Sequence, residues 1–418
     1  MAIQMKDRET TTQKILSLTL GAMLFFSPIT LFVNVLLIYL FWAQISIDSL
    51  ILYGAQLIMI VVSLGIVLKR MKLNTMLFPL FMFLAFVVSA GVYPETQQYM
   101  FTSWGDIINN KIYWFFIYAL PAFLFIRRIW DYDRLFRYML NFAIAALLCS
   151  LGTLFVYLQL ELQPGYMNFS YDLLLPTIVL LFGYFTKRKT VYLVGGLLGA
   201  ATMFFCGARG PILCLIAAIV LFILFLSEKQ SSKVLVILIT MIVVVLVLVF
   251  WDPIMQMLYR FSDAIGINSR ILEKIADGTL ADDSGRSDVH AELQQQLNIL
   301  GHGLYGDRVI TGGRYAHNLF LELMVEFGLL IGSCLSILLI VMLFHGFFTK
   351  DREKRLLFIA FFSASFIKLM MSSSYLSKEP AFYAMLGLCV SCLIKDDTKP
   401  REHNQKHLLI SLRYRGRR

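Results

Sequence analysis

Apolar stretches of about 15 to 28 residues, separated by short polar clusters, recur along this chain, and no other feature limits its fold so strongly. A hydrocarbon layer about 30 Å thick takes roughly 20 helical residues to cross. The stretches fall at approximately 15–42, 49–68, 75–93, 112–126, 138–160, 172–186, 190–206, 211–227, 233–250, 319–344, 356–373 and 379–394. Half of the first would be too short to span, so it reads as one long helix kinked near Pro28. With 58% hydrophobic and only 15% charged residues, the 418-residue chain belongs with polytopic membrane proteins rather than strings of soluble domains. The expected fold is all-α: a single polytopic membrane helix bundle over residues 1–418, with about twelve transmembrane helices and a large, partly helical extracytoplasmic loop between helices 9 and 10.

Charge sets the expected orientation. Most of the 37 Lys and Arg residues lie in segments that an inside N-terminus would place in the cytoplasm, including the basic tail 395–418. The segments 43–48 and 161–171, on the other side, hold none. Positive-inside bias therefore predicts both termini in the cytoplasm and the loop 251–316 outside. The same clusters form no continuous basic stripe, so the net charge of +10 is a topology signal and no nucleic-acid partner is expected. All six cysteines lie in apolar runs, which implies no disulfide framework, and Cys389-x-x-Cys392 lacks the context of a redox motif.

The loop should carry two helices. Ile254, Met257, Leu258 and Phe261 recur with amphipathic spacing, and a second helix is expected from Asp288 to Leu300, with Ser287 as N-cap, an apolar face of Val289, Leu293, Leu297 and Leu300, and Gly301 as its stop. Arg286 would stand before that helix N-terminus, where N–H groups and the dipole favour an anion; a solvated loop arginine is the plain alternative. Arg209, in Gly207-Ala208-Arg209-Gly210-Pro211, interrupts two apolar runs and is either snorkelling or poised on a ligand. His317 and Asn318 mark the return to the membrane. On a helix, His317, Leu321, Met324 and Gly328 would share a face; imidazole suits a general base, and Asn318 is equally suited to a cap. Glu322 and Glu326 form an i, i+4 pair that could meet loop arginines. Gly301-His302-Gly303-Leu304-Tyr305-Gly306 matches a dinucleotide fingerprint literally, but with no preceding strand it reads as turns.

These features together resemble the O-antigen ligase and O-antigen polymerase family of bacterial envelope enzymes. The resemblance rests on the twelve spans, the large outer loop, Gly207-Ala208-Arg209-Gly210, Ser284-Gly285-Arg286, and His317-Asn318 followed after nine residues by Gly328, with the next glycine of the pattern at Gly332. It implies a membrane glycosyltransferase in which Arg209 and Arg286 hold the diphosphate of an undecaprenyl-linked oligosaccharide donor and His317 assists the hydroxyl of a glycan acceptor. Asn318, Arg308, Arg314 and Glu322 complete the expected substrate-binding set. No metal and no cofactor is implied; membrane lipids, a flippase and a chain-length regulator are the implied partners. A transporter or flippase of lipid-linked glycans is the competing class. Such proteins place ionisable residues at the midplane and often show repeats, neither of which is visible here.

Reporter fusions at Ser231 and Asp282 are expected to report opposite sides of the membrane. A same-side result would contradict the twelve-span topology.

Overall fold

The computed structural model describes residues 2–41, 47–69, 73–101, 115–160, 166–206, 209–226 and 285–393, together with the isolated positions 112, 257 and 260. Among them every regular element is helical, with no strand. The principal helices are α1 (Ala2–Phe41), α2 (Ile47–Leu68), α3 (Leu73–Val92), α4 (Leu120–Arg128), α5 (Tyr132–Gln159), α6 (Tyr166–Lys187), α7 (Thr190–Cys206), α8 (Arg209–Leu226), α9 (Arg286–Gln295), α10 (Leu319–Phe347), α11 (Arg352–Phe361) and α12 (Pro380–Leu393). Single π-helical turns, Phe115–Ala119 and Phe362–Phe366, precede α4 and follow α11. Pro28 sits inside α1, which runs unbroken as one element.

Every expected span except 233–250 overlaps a described helix; 233–250 and the amphipathic segment around Ile254–Phe261 lie outside the described residues. Among the described residues, six helices are long and apolar enough to cross a membrane: 10–40, 75–92, 132–157, 167–187, 209–226 and 319–347. Three more, 56–68, 190–204 and 380–393, are apolar but shorter. Their outer surfaces are hydrocarbon-compatible. On α3, Leu77, Leu80, Phe83, Leu84 and Val87 are exposed while Met82 and Phe86 are buried, so the apolar surface faces outward as well as inward, as a lipid solvent allows.

Inside, aromatic side chains fill the bundle. Phe115, Phe123, Phe125, Phe182, Phe358 and Phe361 are fully buried, and Phe115 meets Tyr383 edge-on at 5.4 Å. Helix α1 packs along α5, α6 along α7, and α12 along α4 and α10.

The feature that positions the site is a break in α10. Gly328 has φ 79° and ψ 167°, dividing the helix into 319–327 and 329–347. The sequence reading had run one helical face through Gly328; the chain instead folds back there, so that Gly332 rests on the backbone of Leu323 and Met324. A break strands carbonyls that hydrocarbon cannot satisfy. Segment 298–303 supplies the partners: His302 N–H donates to the Val325 carbonyl at 2.9 Å, Gly303 N–H to Glu326 at 3.0 Å, and Leu329 N–H to the Asn298 carbonyl at 2.8 Å. Such contact leaves no room for side chains. A Cβ on Gly328 would overlap the Ile299 carbonyl, and one on Gly301 would overlap the Glu326 carbonyl.

Gly328→Ala should therefore lower stability by about 2 kcal/mol through positive-φ strain alone, before the steric overlap is added. Thermal unfolding in detergent should show a clear fall in Tm, whereas Gly65→Ala, at a helical glycine with open space around it, should not. Equal behaviour of the two variants would contradict the packed break.

Candidate functional site

The loop returns to α10 through two short elements. Helix α9 starts at Arg286, preceded by Gly285 at φ 75°, and ends at Gln295. The expected helix 288–300 is thus shifted: Gly285 rather than Ser287 is the N-cap residue, and Leu300 is exposed. The reason lies downstream, because residues 298–303 are drawn away to bond the α10 break. The glycine-rich 301–306 stretch consequently serves as backbone packing and leads into a one-turn helix, Gly306–Ile310, which the sequence reading did not expect. Val289 and Leu293 of α9 bury against Ala316, Leu321 and Val325, docking α9 on the start of α10.

That docking fixes His317. The His290 ring lies 2.8 Å from the Ala316 carbonyl, and Ala316 N–H donates to Asp307 at 3.0 Å, so the residue before His317 is held from both sides. His317 itself has φ 53°, a left-handed conformation rare for a side chain of this size. The reading of His317 as a helical residue is therefore corrected: the helix begins at Leu319, and Asn318 is its N-cap, its side-chain oxygen accepting from Phe320 and Leu321 N–H at 3.0 and 3.2 Å.

The imidazole lies against the Tyr315 ring, centroids 4.1 Å apart and tilted by 39°, with the Met371 backbone near enough to favour its protonated form. Its Nδ1 is buried and meets no hydrogen-bond partner. Burial, then the neighbouring Arg286 guanidinium, with smaller effects from His290 and Arg314, lowers the His317 pKa to about 4 against the pull of Met371. The histidine is neutral at physiological pH and able to accept a proton.

Arg286 and Arg314 thus lie within electrostatic reach of His317. Arg314 is exposed and pairs with Glu292 at 3.3 Å. Arg209 is the exposed first residue of α8, and its link to the cluster is indirect. Gly210 leaves space only for the Tyr171 hydroxyl, and Tyr171 lies within electrostatic reach of Ser372 and Arg286.

Residues 371–374 are the hub that joins these pieces, and sequence reading did not find them. The Met371 backbone lies near His317; the Ser372 carbonyl accepts from Tyr315 Oη at 2.9 Å; Ser373 donates to Glu379 at 2.8 Å; Ser374 donates to Glu322. Only a run of serines signalled it. Lys368, ion-paired with Glu379, stands 5.1 Å over the Tyr171 ring.

Arg308 and Glu322 lie deeper than the other site residues. Both are buried, Arg308 against the Tyr305 ring at 4.5 Å and 3.6 Å from Asp307. Asp307, Glu322 and Glu326 bring carboxylate oxygens within 4.8 Å of one another, a ligand-like spacing that the sequence positions concealed. Tyr305 N–H and Tyr375 Oη donate to Glu326, and Arg308 supplies a cation beside the three acids. The observed role of this group is to tie the loop to α10.

The fold and site define a multi-pass, all-α membrane protein with a cationic, histidine-bearing centre beside the N-terminus of a broken helix. Residues 194–335, about a third of the chain, match the sequence profile of a family described as O-antigen ligase, which supports assignment to the O-antigen ligase and polymerase family. The matched region includes Arg209, Arg286, Arg308, Arg314, His317, Asn318 and Glu322. Neither curated proteins nor solved structures gave a significant match.

If His317 is the base, kcat/KM should stay flat as pH falls through 6.5, where an ordinary imidazole protonates, and should decline only on approach to about pH 4. Removing one depressing charge by Arg286→Ala should move this acid limb upward in the residual activity. An acid limb near 6.5 in the unaltered protein would contradict the assignment.

Proposed function

We propose that the protein is a surface-polysaccharide repeat-unit polymerase, transferring glycan from an undecaprenyl-diphosphate-linked donor to an acceptor sugar hydroxyl at the outer face of the bacterial cytoplasmic membrane. The observation that carries this reading is the meeting of Arg286 with a neutral His317 whose Nδ1 is unpartnered. The acceptor oxygen attacks the anomeric carbon; the bond from that carbon to the diphosphate oxygen breaks, and its electron pair leaves with the diphosphate. The acceptor proton passes to His317. A single in-line displacement inverts the anomeric centre. Arg286, at the first turn of α9, and Arg209, at the first turn of α8, stabilise the growing charge where helix dipoles already favour an anion. Arginine suits this better than lysine, because its planar fork grips phosphate through two bonds. Arg314 and Asn318 line the approach, while Arg308 and Glu322 brace it from below.

Orientation follows from the charge pattern, with both termini cytoplasmic and the site outside. Polymerase is favoured over ligase by the loop 251–316, which holds nine acids and six bases. A net negative loop suits a second lipid-linked repeat unit as acceptor better than a strongly anionic lipid. A flippase that delivers the donor and a chain-length regulator are the partners this chemistry calls for.

Deleting the gene and sizing the surface glycan is the test. Single repeat units left on lipid are the expected result. Full-length chains stranded on undecaprenyl diphosphate would assign the ligase instead, and donor trapped on the cytoplasmic side would assign a flippase.

A further inference from the structure

The reaction described above makes no use of four charged residues that the fold gathers beside it. Asp172 of α6 lies within electrostatic reach of Lys368, Lys378 and Glu379, the last two just ahead of α12. Each has a hold in the bundle. Glu379 pairs with Lys368 and accepts from Ser373 at 2.8 Å, Asp172 accepts from Ser27 of α1 at 2.9 Å, and Lys378 stands 4.3 Å over the Tyr118 ring. Ionisable groups among membrane helices are costly, and they persist where they pair with one another or face a polar ligand. These are not sealed away: Lys368 keeps 20% of its side chain exposed, and Asp172 and Lys378 are half-buried. They also border His317, because Lys368 lies over the Tyr171 ring and within electrostatic reach of Tyr315, the ring against the imidazole. On the far side of Tyr118, whose hydroxyl donates to Gln56 Oε1, the fully buried Gln56 of α2 holds an amide nitrogen with no hydrogen-bond partner. Such a donor calls for an oxygen.

Two ammonium groups and two carboxylates cancel in charge, so this cluster does not suit an anion as Arg209, Arg286 and Arg314 do. It sets donors and acceptors side by side. Hydroxyl groups both give and take hydrogen bonds, and charged partners of both signs satisfy them most strongly. We infer that Asp172, Lys368, Lys378 and Glu379, with the Gln56 amide, form a subsite for an uncharged sugar ring of the donor or acceptor glycan and fix that ring relative to His317. The inference rests on the transferase reading and deepens it: the arginines take the diphosphate, and the charge-balanced cluster takes a sugar. Holding a ring in register with the base converts binding into correct placement of the reacting atoms.

The test is saturation-transfer NMR on the purified full-length protein, with the methyl glycosides of glucose, galactose, mannose and N-acetylglucosamine as probes and methyl glucuronide as the charged control. At least one neutral glycoside is expected to receive transfer, more strongly than the glucuronide, and to lose it in Asp172→Asn and in Gln56→Leu. A merely structural Gln56 predicts otherwise: replacing an open donor by an apolar side chain should keep or raise Tm and leave glycoside binding as it was. Should Asp172→Asn lower Tm, Gln56→Leu and the glucuronide comparison decide. Transfer to no neutral glycoside, transfer unchanged in Gln56→Leu, or a stronger signal from the glucuronide would overturn the inference. In a glycan-transfer assay, Gln56→Leu should raise KM about tenfold with kcat kept, and the substrate whose KM moves, acceptor or donor, is the one whose ring is held. A fall in kcat alone would contradict a binding role. The NMR measurement needs no turnover, so a protein that binds the glycoside but transfers nothing would count against the transferase reading and leave the sugar subsite standing.

Discussion

Three backbone hydrogen bonds between segment 298–303 and the break at 325–329 hold the rest of the site in place. In hydrocarbon, an interrupted helix is tolerated only when something nearby takes up its free carbonyls and amides. Here the loop does so with its own main chain, and glycines at 301 and 328 let the two backbones approach. Loop and membrane helix become one unit. A polar segment is anchored at 298–303, ahead of its return to the membrane at Leu319, and α9 is delivered onto the first turn of α10.

From that anchoring the chemistry follows. Burying the Asp307–Arg308 pair beside Glu322 and Glu326 is costly without mutual pairing, and the buried hydroxyls of Ser374 and Tyr375 donate to Glu322 and Glu326. The result is a stiff floor on which Ala316 is fixed and His317 is held in a left-handed conformation. Strain of this kind persists only where surrounding contacts over-determine it. With burial and the Arg286 guanidinium both opposing protonation, the imidazole is neutral and not a cation. A neutral imidazole and a cationic guanidinium coexist because the guanidinium's field itself depresses the histidine.

Sequence pattern revealed the apolar segments and the loop-to-helix junction well, since both depend on local composition. The helix boundaries of α2, α3, α6, α7 and α12 lie within a few residues of the hydrophobic runs that announced them. Arg286 and His317 were legible for the same reason: an arginine after glycine and a histidine at a membrane boundary stand out against apolar surroundings. The break at Gly328 was not, because a helix of Leu, Phe and Met reads as continuous and a lone glycine is common in membrane helices. The hub at 371–374 was hidden by distance along the chain: Ser374 reaches Glu322 across 52 residues and Ser372 reaches Met167 across 205. Asp307 passed for one acid among nine in the loop, though it is fully buried. Apolar membrane helices carry little information about which faces meet, so pairings made by a few polar atoms escape periodicity.

The most direct measurement is a cryo-EM structure of the protein with a non-transferable analogue of a lipid-diphosphate-linked sugar. The account predicts diphosphate oxygens within hydrogen-bonding distance of the Arg286 guanidinium, and the face of the anomeric carbon opposite the diphosphate turned toward His317 Nδ1. Diphosphate bound away from Arg286, or an anomeric carbon shielded from His317, would contradict it.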